Sequence, residues 1–334
     1  MSRLKIGVLG IDHRHAYGML GNMLDQDAEC VGWWTHGTPE TLAGFEKRFP
    51  DAPRLPSVEA VLDAQPDLVI ISAIPSDRAS LAIRAMEAGA DVMSDKPGCT
   101  TMAQLDAIKT CVAATGRIWS VDFSERFEVP CVTRAAELVA EGAVGRVIQT
   151  VGLGPHRLNR ATRPDWFFDP SRNGGILTDI ASHQIDQFLF FTGATDAEIT
   201  LASARAMHHD FQDFGEIALR APEDQGGGHG YIRVDWFTPD ALPTWGDGRL
   251  TILGTEGTIE LRKYVDIGAG GSDTLTLVNG TRCEKIDASD AGLPYFARLA
   301  ADIRDRTETA MPQAHAFKVM ELALRAQAMA DAGA

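Results

Sequence analysis

Asp179, His183 and Asp186 follow a Gly174-Gly175 pair at helical spacing, i, i+4 and i+7. One helix from about Gly175 to Phe191 would place all three on one face. The rest of that helix is apolar, through Ile176, Leu177, Ile180, Ile185, Phe188 and Leu189. Its polar stripe is therefore either a solvated side or the lining of a buried site. Gly-Gly beside it admits a close backbone or ligand. An imidazole there suits proton transfer near neutral pH. A second candidate is Lys96, in Asp95-Lys96-Pro97-Gly98 directly after a strand expected to be buried. A lysine at the carboxyl end of a parallel strand faces the ligand crevice, where its ammonium stabilises a developing alkoxide or carries a proton. The alternative is a snorkelling surface lysine.

A third constellation lies where the first strand turns into the first helix. Gly10-Ile11-Asp12-His13-Arg14-His15 occupies the register of a G-x-G-x-x-G dinucleotide loop, with only Gly10 kept. Such glycines let backbone N–H groups approach a pyrophosphate at the helix N-terminus. Asp12 falls where that approach is closest. A carboxylate about 4 Å from a phosphate charge costs on the order of 4 kcal/mol at an effective dielectric near 20. Asp12 is thus expected to turn away as an N-cap, or to be offset by His13, Arg14 or His15. A tight turn without a ligand is the alternative.

At the end of the second strand, Thr35, His36 and Thr38 stand where an NAD-selective site carries an acid. Hydroxyls and an imidazole tolerate a 2′-phosphate better than a carboxylate does, which points towards NADP over NAD. A plain polar turn fits equally. Ser72 and Ala73, closing the third strand, complete the expected cofactor set of Gly10, Ile11, Asp12, His13, Arg14, Thr35, His36 and Lys96.

The elements that must position these groups alternate strand and helix up to residue 122. Strands are expected at Ile6–Gly10, Cys30–Trp34, Leu68–Ser72, Asp91–Ser94 and Ile118–Val121, with helices near 15–25, 39–49, 76–88 and 102–114. That rhythm predicts an N-terminal Rossmann, doubly wound parallel sheet. A helix (134–141) and a strand (145–151) follow, then a loop rich in Arg, Pro and aromatics. Residues 199–286 read mostly as β, several strands alternating apolar and polar, and a helix at about 314–332 ends the reading. The expected fold is α/β, with a C-terminal α/β domain carrying a large open mixed or antiparallel sheet. The expected domains are 1–122 for the dinucleotide, 123–310 for substrate and oligomerisation, and 311–334 as a helix packing back.

The 334 residues carry a net charge of −15, which disfavours nucleic acid or an anionic membrane as partner. Five cysteines without a C-x-x-C pair suggest reduced thiols. The N-terminus lacks signal-peptide architecture, and no apolar run nears the roughly 20 residues of a membrane span. A cytoplasmic protein is expected, with no metal assigned.

Together these motifs resemble the Gfo/Idh/MocA oxidoreductases. Asp95-Lys96-Pro97 is similar to that family's Glu-Lys-Pro, and Gly174-Gly175 with Asp179 and His183 to its G-G-x3-D-x3-H signature. Val121–Phe127 resembles its next strand and arginine-bearing loop, Glu137–Gly145 its helix and turn, and Leu253–Thr258 a late strand turn. The resemblance implies Lys96, Asp179 and His183 as catalytic set, converging on one cleft beside a nicotinamide cofactor. It implies a sugar- or polyol-like substrate and a homodimer or tetramer. Arg126, Arg157, Arg163 and Trp166 join Asp179 and His183 as expected substrate contacts; the loop before Gly174 could grip hydroxyls or, through an arginine fork, a carboxylate, or serve instead as a domain-bridging or subunit-contact arm. Two departures stand out: the reduced glycine loop, and Asp95 for Glu. Two rivals remain open. One is a non-catalytic nucleotide- or sugar-binding regulator on the same fold. The other is a metal-dependent hydrolase built on His13-x-His15, against which the β-rich second half speaks.

Overall fold

The computed structural model describes residues 3–333, and the chain divides into two compact units. One holds the chain up to Phe123 with Pro164–Gly174 and Pro294–Met320. The other holds Ser124–Arg163, Gly175–Leu293 and the chain from Glu321 onward.

The first unit begins β1 (Leu4–Ile11), α1 (His15–Leu24), β2 (Ala28–Trp34), α2 (Leu42–Arg48), α3 (Val58–Asp63), β3 (Leu68–Ser72), α4 (Pro75–Glu87), β4 (Asp91–Asp95), α5 (Met102–Thr115) and β5 (Trp119–Asp122). The parallel sheet runs β2-β1-β3-β4-β5. A single bridge, Trp33 to Arg54, extends it beyond β2. β3 and β4 are buried at every position, as strands covered on both faces must be. Strand order reverses between β1 and β3, so the ligand crevice lies beyond their carboxyl ends. The short α3 carries too few periodic positions to be read from sequence; the Ser57 hydroxyl caps it by accepting from the Ala60 N–H.

The second unit opens with α6 (Ser124–Phe127), α7 (Pro130–Ala140) and β6 (Val147–Pro155). After α8 (Pro170–Asn173), which belongs to the first unit, come α9 (Ile176–Asp179) and α10 (Ala181–Thr192). Strands β7 (Glu198–Arg205), β8 (Phe214–Arg220), β9 (His229–Asp235), β10 (Arg249–Gly254), β11 (Gly257–Arg262), β12 (Thr274–Asn279) and β13 (Cys283–Asp287) complete an eight-stranded sheet. Its order is β13-β12-β11-β10-β6-β9-β8-β7, antiparallel except for β6 beside β9. One core forms where Leu138 and Ala135 of α7 meet Ile252, Ile259, Leu261 and Leu277 of the sheet. α10 lies close over β6 because β6 offers glycine: a Cβ on Gly152 would stand 2.7 Å from Gln184 Cγ.

α11 (Pro294–Asp305) and the start of α12 (Gln313–Ala332) complete the first unit. The Gln313 amide brackets the main chain of Trp119 on edge strand β5, accepting from its N–H at 2.9 Å and donating to its carbonyl at 2.6 Å.

The helix expected over 175–191 is interrupted at Ile180. The Ser182 hydroxyl donates to the Asp179 carbonyl at 3.0 Å and the His183 N–H turns to Ile180 at 3.2 Å, so the junction tightens to a three-residue turn.

Candidate active site

In the first unit, β1 and β3 approach as a dinucleotide crevice requires. Gly10 has φ +75°, and a Cβ there would lie 2.5 Å from Ala73 Cα, so only glycine fits. The loop beyond is tied inward. The Ile11 N–H donates to Thr35 Oγ1 at 3.4 Å, its carbonyl accepts from Thr41, and the His13 N–H donates to the Ser72 carbonyl at 3.2 Å. Thr35 and Ser72 are buried in these duties, while His36 is exposed.

Asp12 does not cap α1. The cap position is Arg14, without a side-chain cap bond, and Arg14 reaches the exposed Glu40 at 2.6 Å. Burial pushes the Asp12 carboxyl up to about 6, against the opposing pull of Arg78.

The hub of the crevice is Asp95, fully buried at the end of β4. His15 Nδ1 lies 2.8 Å from its Oδ1, and His13 Nδ1 3.1 Å from its Oδ2. Ser72 Oγ stands 3.0 Å and Arg78 Nη2 3.1 Å from Oδ2. Burial alone would raise this carboxyl; the Arg78 guanidinium, then His15 and His13, overcome burial and hold it well below the usual range. Burial, reinforced by His15, presses His13 down to about 4, so His13 is neutral at pH 7. A carboxylate only accepts, so each imidazole gives Asp95 its Nδ1–H.

The donors of His13, His15 and Asp95 lie within 4.8 Å of one another, a set of metal-ligand composition. The fixed guanidinium 3.1 Å from the same carboxylate opposes a cation there, and the arrangement works instead as a hydrogen-bonded clasp.

Arg78 is the residue that sequence reading missed. It sits in the core stripe of α4 between Pro75, Ala79 and Ala82, where a charge must find partners. It donates to the carbonyls of Ala73 at 2.7 Å, Asp95 at 3.0 Å, Pro97 at 3.1 Å, and Lys96. The Lys96–Pro97 peptide is cis. With Asp95 spent on the histidines, the guanidinium holds the Lys96 backbone. Lys96 is 5% exposed.

In the second unit, His183 is buried and Asp179 half-buried at the α9–α10 junction. The Gln187 amide donates to the His183 carbonyl at 3.0 Å. Asp186, on the same polar stripe, is engaged by another side chain: its carboxylate takes both Nε and Nη2 of Arg126 at 2.6 Å. That guanidinium lies against the rings of Phe127 and Phe190, at 4.2 and 4.5 Å. Beside this pair, Glu125 accepts from Lys263 Nζ at 2.7 Å and from Gln184 Nε2 at 2.8 Å, all buried. These two clamps fix α10 and were not legible in sequence, because their partners lie far apart in the chain.

Arg157 donates to the carbonyls of Pro239 at 3.0 Å and Leu242. Arg163 donates to those of Leu158 at 2.8 Å and Arg157 at 3.3 Å, with its guanidinium 5.1 Å from the Trp236 ring. Both thus serve the walls of a 470 Å³ cavity lined by Asn159, Arg160, His208, His209, Trp236 and Phe237 among others. Trp166 lies half-buried in a 3-10 turn of the first unit, its ring edge-on to Phe167.

A parallel sheet with a glycine turn at its switch point, joined to a second unit with an open mixed sheet, defines a Rossmann-type oxidoreductase. Residues 4–123 match the oxidoreductase family with NAD-binding Rossmann fold, and residues 132–260 the GFO/IDH/MocA C-terminal domain. The chain belongs to the Gfo/Idh/MocA family of oxidoreductases. A protein from Erwinia carotovora atroseptica SCRI1043, solved at 1.25 Å, superposes with TM-score 0.93 and 45% identity over 98% of each chain. The scyllo-inositol 2-dehydrogenase (NAD(+)) of Bacillus subtilis is 29% identical over 77% of this chain and 71% of its own. The scyllo-inositol 2-dehydrogenase (NADP(+)) IolW of the same organism is 24% identical over 90% and 87%. No helix among the described residues is long and apolar enough to cross a membrane.

Proposed function

We propose that this chain is an NAD(P)-dependent dehydrogenase acting on a hydroxyl of an uncharged cyclic polyol or sugar, with Lys96, Asp179 and His183 as its catalytic set. The observation that carries the reading is Lys96, buried at the carboxyl end of β4 and clasped through its main chain by Arg78. Support comes from the family and from relatives that oxidise an inositol. Arg126, Arg157 and Arg163 spend their guanidinium groups within their own unit, which favours hydroxyls over a substrate carboxylate.

Gly10, Asp12, Arg14 and the first turn of α1 fit the diphosphate of the dinucleotide, with Gly10 giving the close approach. When bound, the nicotinamide supplies the hydride acceptor or donor. Lys96 steadies negative charge on the reacting oxygen. His183 takes the hydroxyl proton, and Asp179 orients it or binds a neighbouring hydroxyl. The exposed His36 and Thr38, with no acid beside them at the end of β2, favour NADP. We place the enzyme in the cytoplasm, consistent with five unpaired cysteines. We also propose a homo-oligomer: Leu201, Tyr231, Leu253 and Val278 expose apolar surface on the strands of the second sheet.

The test is reduction of NAD or NADP by purified protein across a panel of inositols and sugars. Turnover on at least one cyclic polyol is expected. Tight dinucleotide binding with no hydride transfer to any of them would favour the regulator.

A further inference from the structure

The second position of a dinucleotide loop is where backbone and diphosphate come closest, and here a carboxylate stands in it. A diphosphate brings two negative charges, so Asp12 needs either a cation or a proton. The neighbouring cations are committed. Arg78 on α4 spends its guanidinium on Asp95 and on the carbonyls of Ala73, Asp95, Lys96 and Pro97. Arg14 reaches out to Glu40. His13 is held neutral against Asp95. From α4, Asp77 adds negative charge; from α8, Arg172 opposes it weakly. Lys96 bears on His13, whose protonated form it opposes.

We infer that this chain takes up a proton at Asp12 when it binds its dinucleotide, so that cofactor binding is proton-coupled. The inference rests on the cofactor reading above. The free carboxyl already sits at about 6 through burial. A diphosphate beside it favours the neutral form further, and a neutral carboxyl donates its O–H to a phosphate oxygen. The sign follows. Well below about pH 6 Asp12 is neutral both free and bound, and leaves affinity unchanged. Above that, affinity falls as pH rises, by up to about tenfold per pH unit until the bound carboxyl also ionises. His15, the second imidazole on Asp95, supplies the control position.

The experiment is calorimetric titration with NADH or NADPH, whichever binds more tightly, in buffers of different ionisation enthalpy between about pH 7 and 8.5. Uptake approaching one proton per site is expected, with affinity weakening as pH rises. Asp12→Asn should abolish the uptake and bind at least about fivefold more tightly at the alkaline end. His15→Gln should retain the uptake. Binding without proton uptake, with Asp12→Asn unchanged from wild type, overturns this inference and leaves the cofactor reading standing. Uptake lost in His15→Gln but kept in Asp12→Asn overturns the assignment to Asp12. Failure of both dinucleotides to bind at any pH removes the cofactor reading, and this inference with it.

Discussion

At Asp12, stability and dinucleotide binding make the same demand, a carboxyl without charge. Its folded carboxyl lies near 6 and its ordinary value is 3.8, so folding favours the protonated form. The stability it contributes is fully present below about pH 3.8 and is lost as pH rises through about 6. At pH 8 the ionised, buried group costs about 3 kcal/mol. Asp12→Asn is therefore expected to be more stable than wild type in urea at pH 8, by roughly that amount, and near parity at about pH 4. Equal stability at both pH values would contradict the burial argument. The sequence located Asp12 at its loop position and identified the charge problem. It could not tell that Arg14 would turn to Glu40, since that choice depends on side chains 26 positions apart.

At the scale of elements, two buried clamps decide where chemistry-bearing side chains sit. In α4, Arg78 binds three consecutive carbonyls from the last residue of β4 onward, and the Asp95 carboxylate. Lysine has no planar fork to replicate this, so Arg78→Lys is expected to destabilise the fold by about 2–4 kcal/mol and to weaken dinucleotide binding. Denaturant titration and calorimetry check both, and near-wild-type values would contradict the clamp. In the clamp on α10, Glu125→Ala on α6 would leave Lys263 charged and buried without its partner, at a cost of about 3–5 kcal/mol. Glu125→Ala with Lys263→Met should recover much of that loss. The α9–α10 junction shows where periodicity stops informing. Asp179 and His183 obey i, i+4 spacing, yet a serine hydroxyl and one shortened turn separate their helices. Asp186 shares the polar stripe but belongs to Arg126. A stripe of polar residues reports burial of polar groups, not their common purpose.

For the whole molecule, alternation of strand and helix specified the parallel sheet, and β3 in its middle reads as an apolar run because both its faces are covered. The mixed sheet was legible as β-rich, while β12, β13 and α11 were not individually read. β13 is largely exposed and lacks an apolar run, and the loop before β12 is rich in glycine. The exposed apolar residues on that sheet predict self-association: sedimentation should show a dimer or larger, and Leu253→Glu with Val278→Glu should shift it towards monomer. A monomeric wild type would contradict this. The central claim is that Lys96 and His183 perform the chemistry. It is tested most directly by turnover of Lys96→Met and His183→Asn on an oxidised polyol, with dinucleotide affinity measured alongside. The account predicts that kcat falls by at least about a hundredfold in each, with dinucleotide binding kept in His183→Asn. Wild-type turnover in both variants would contradict it.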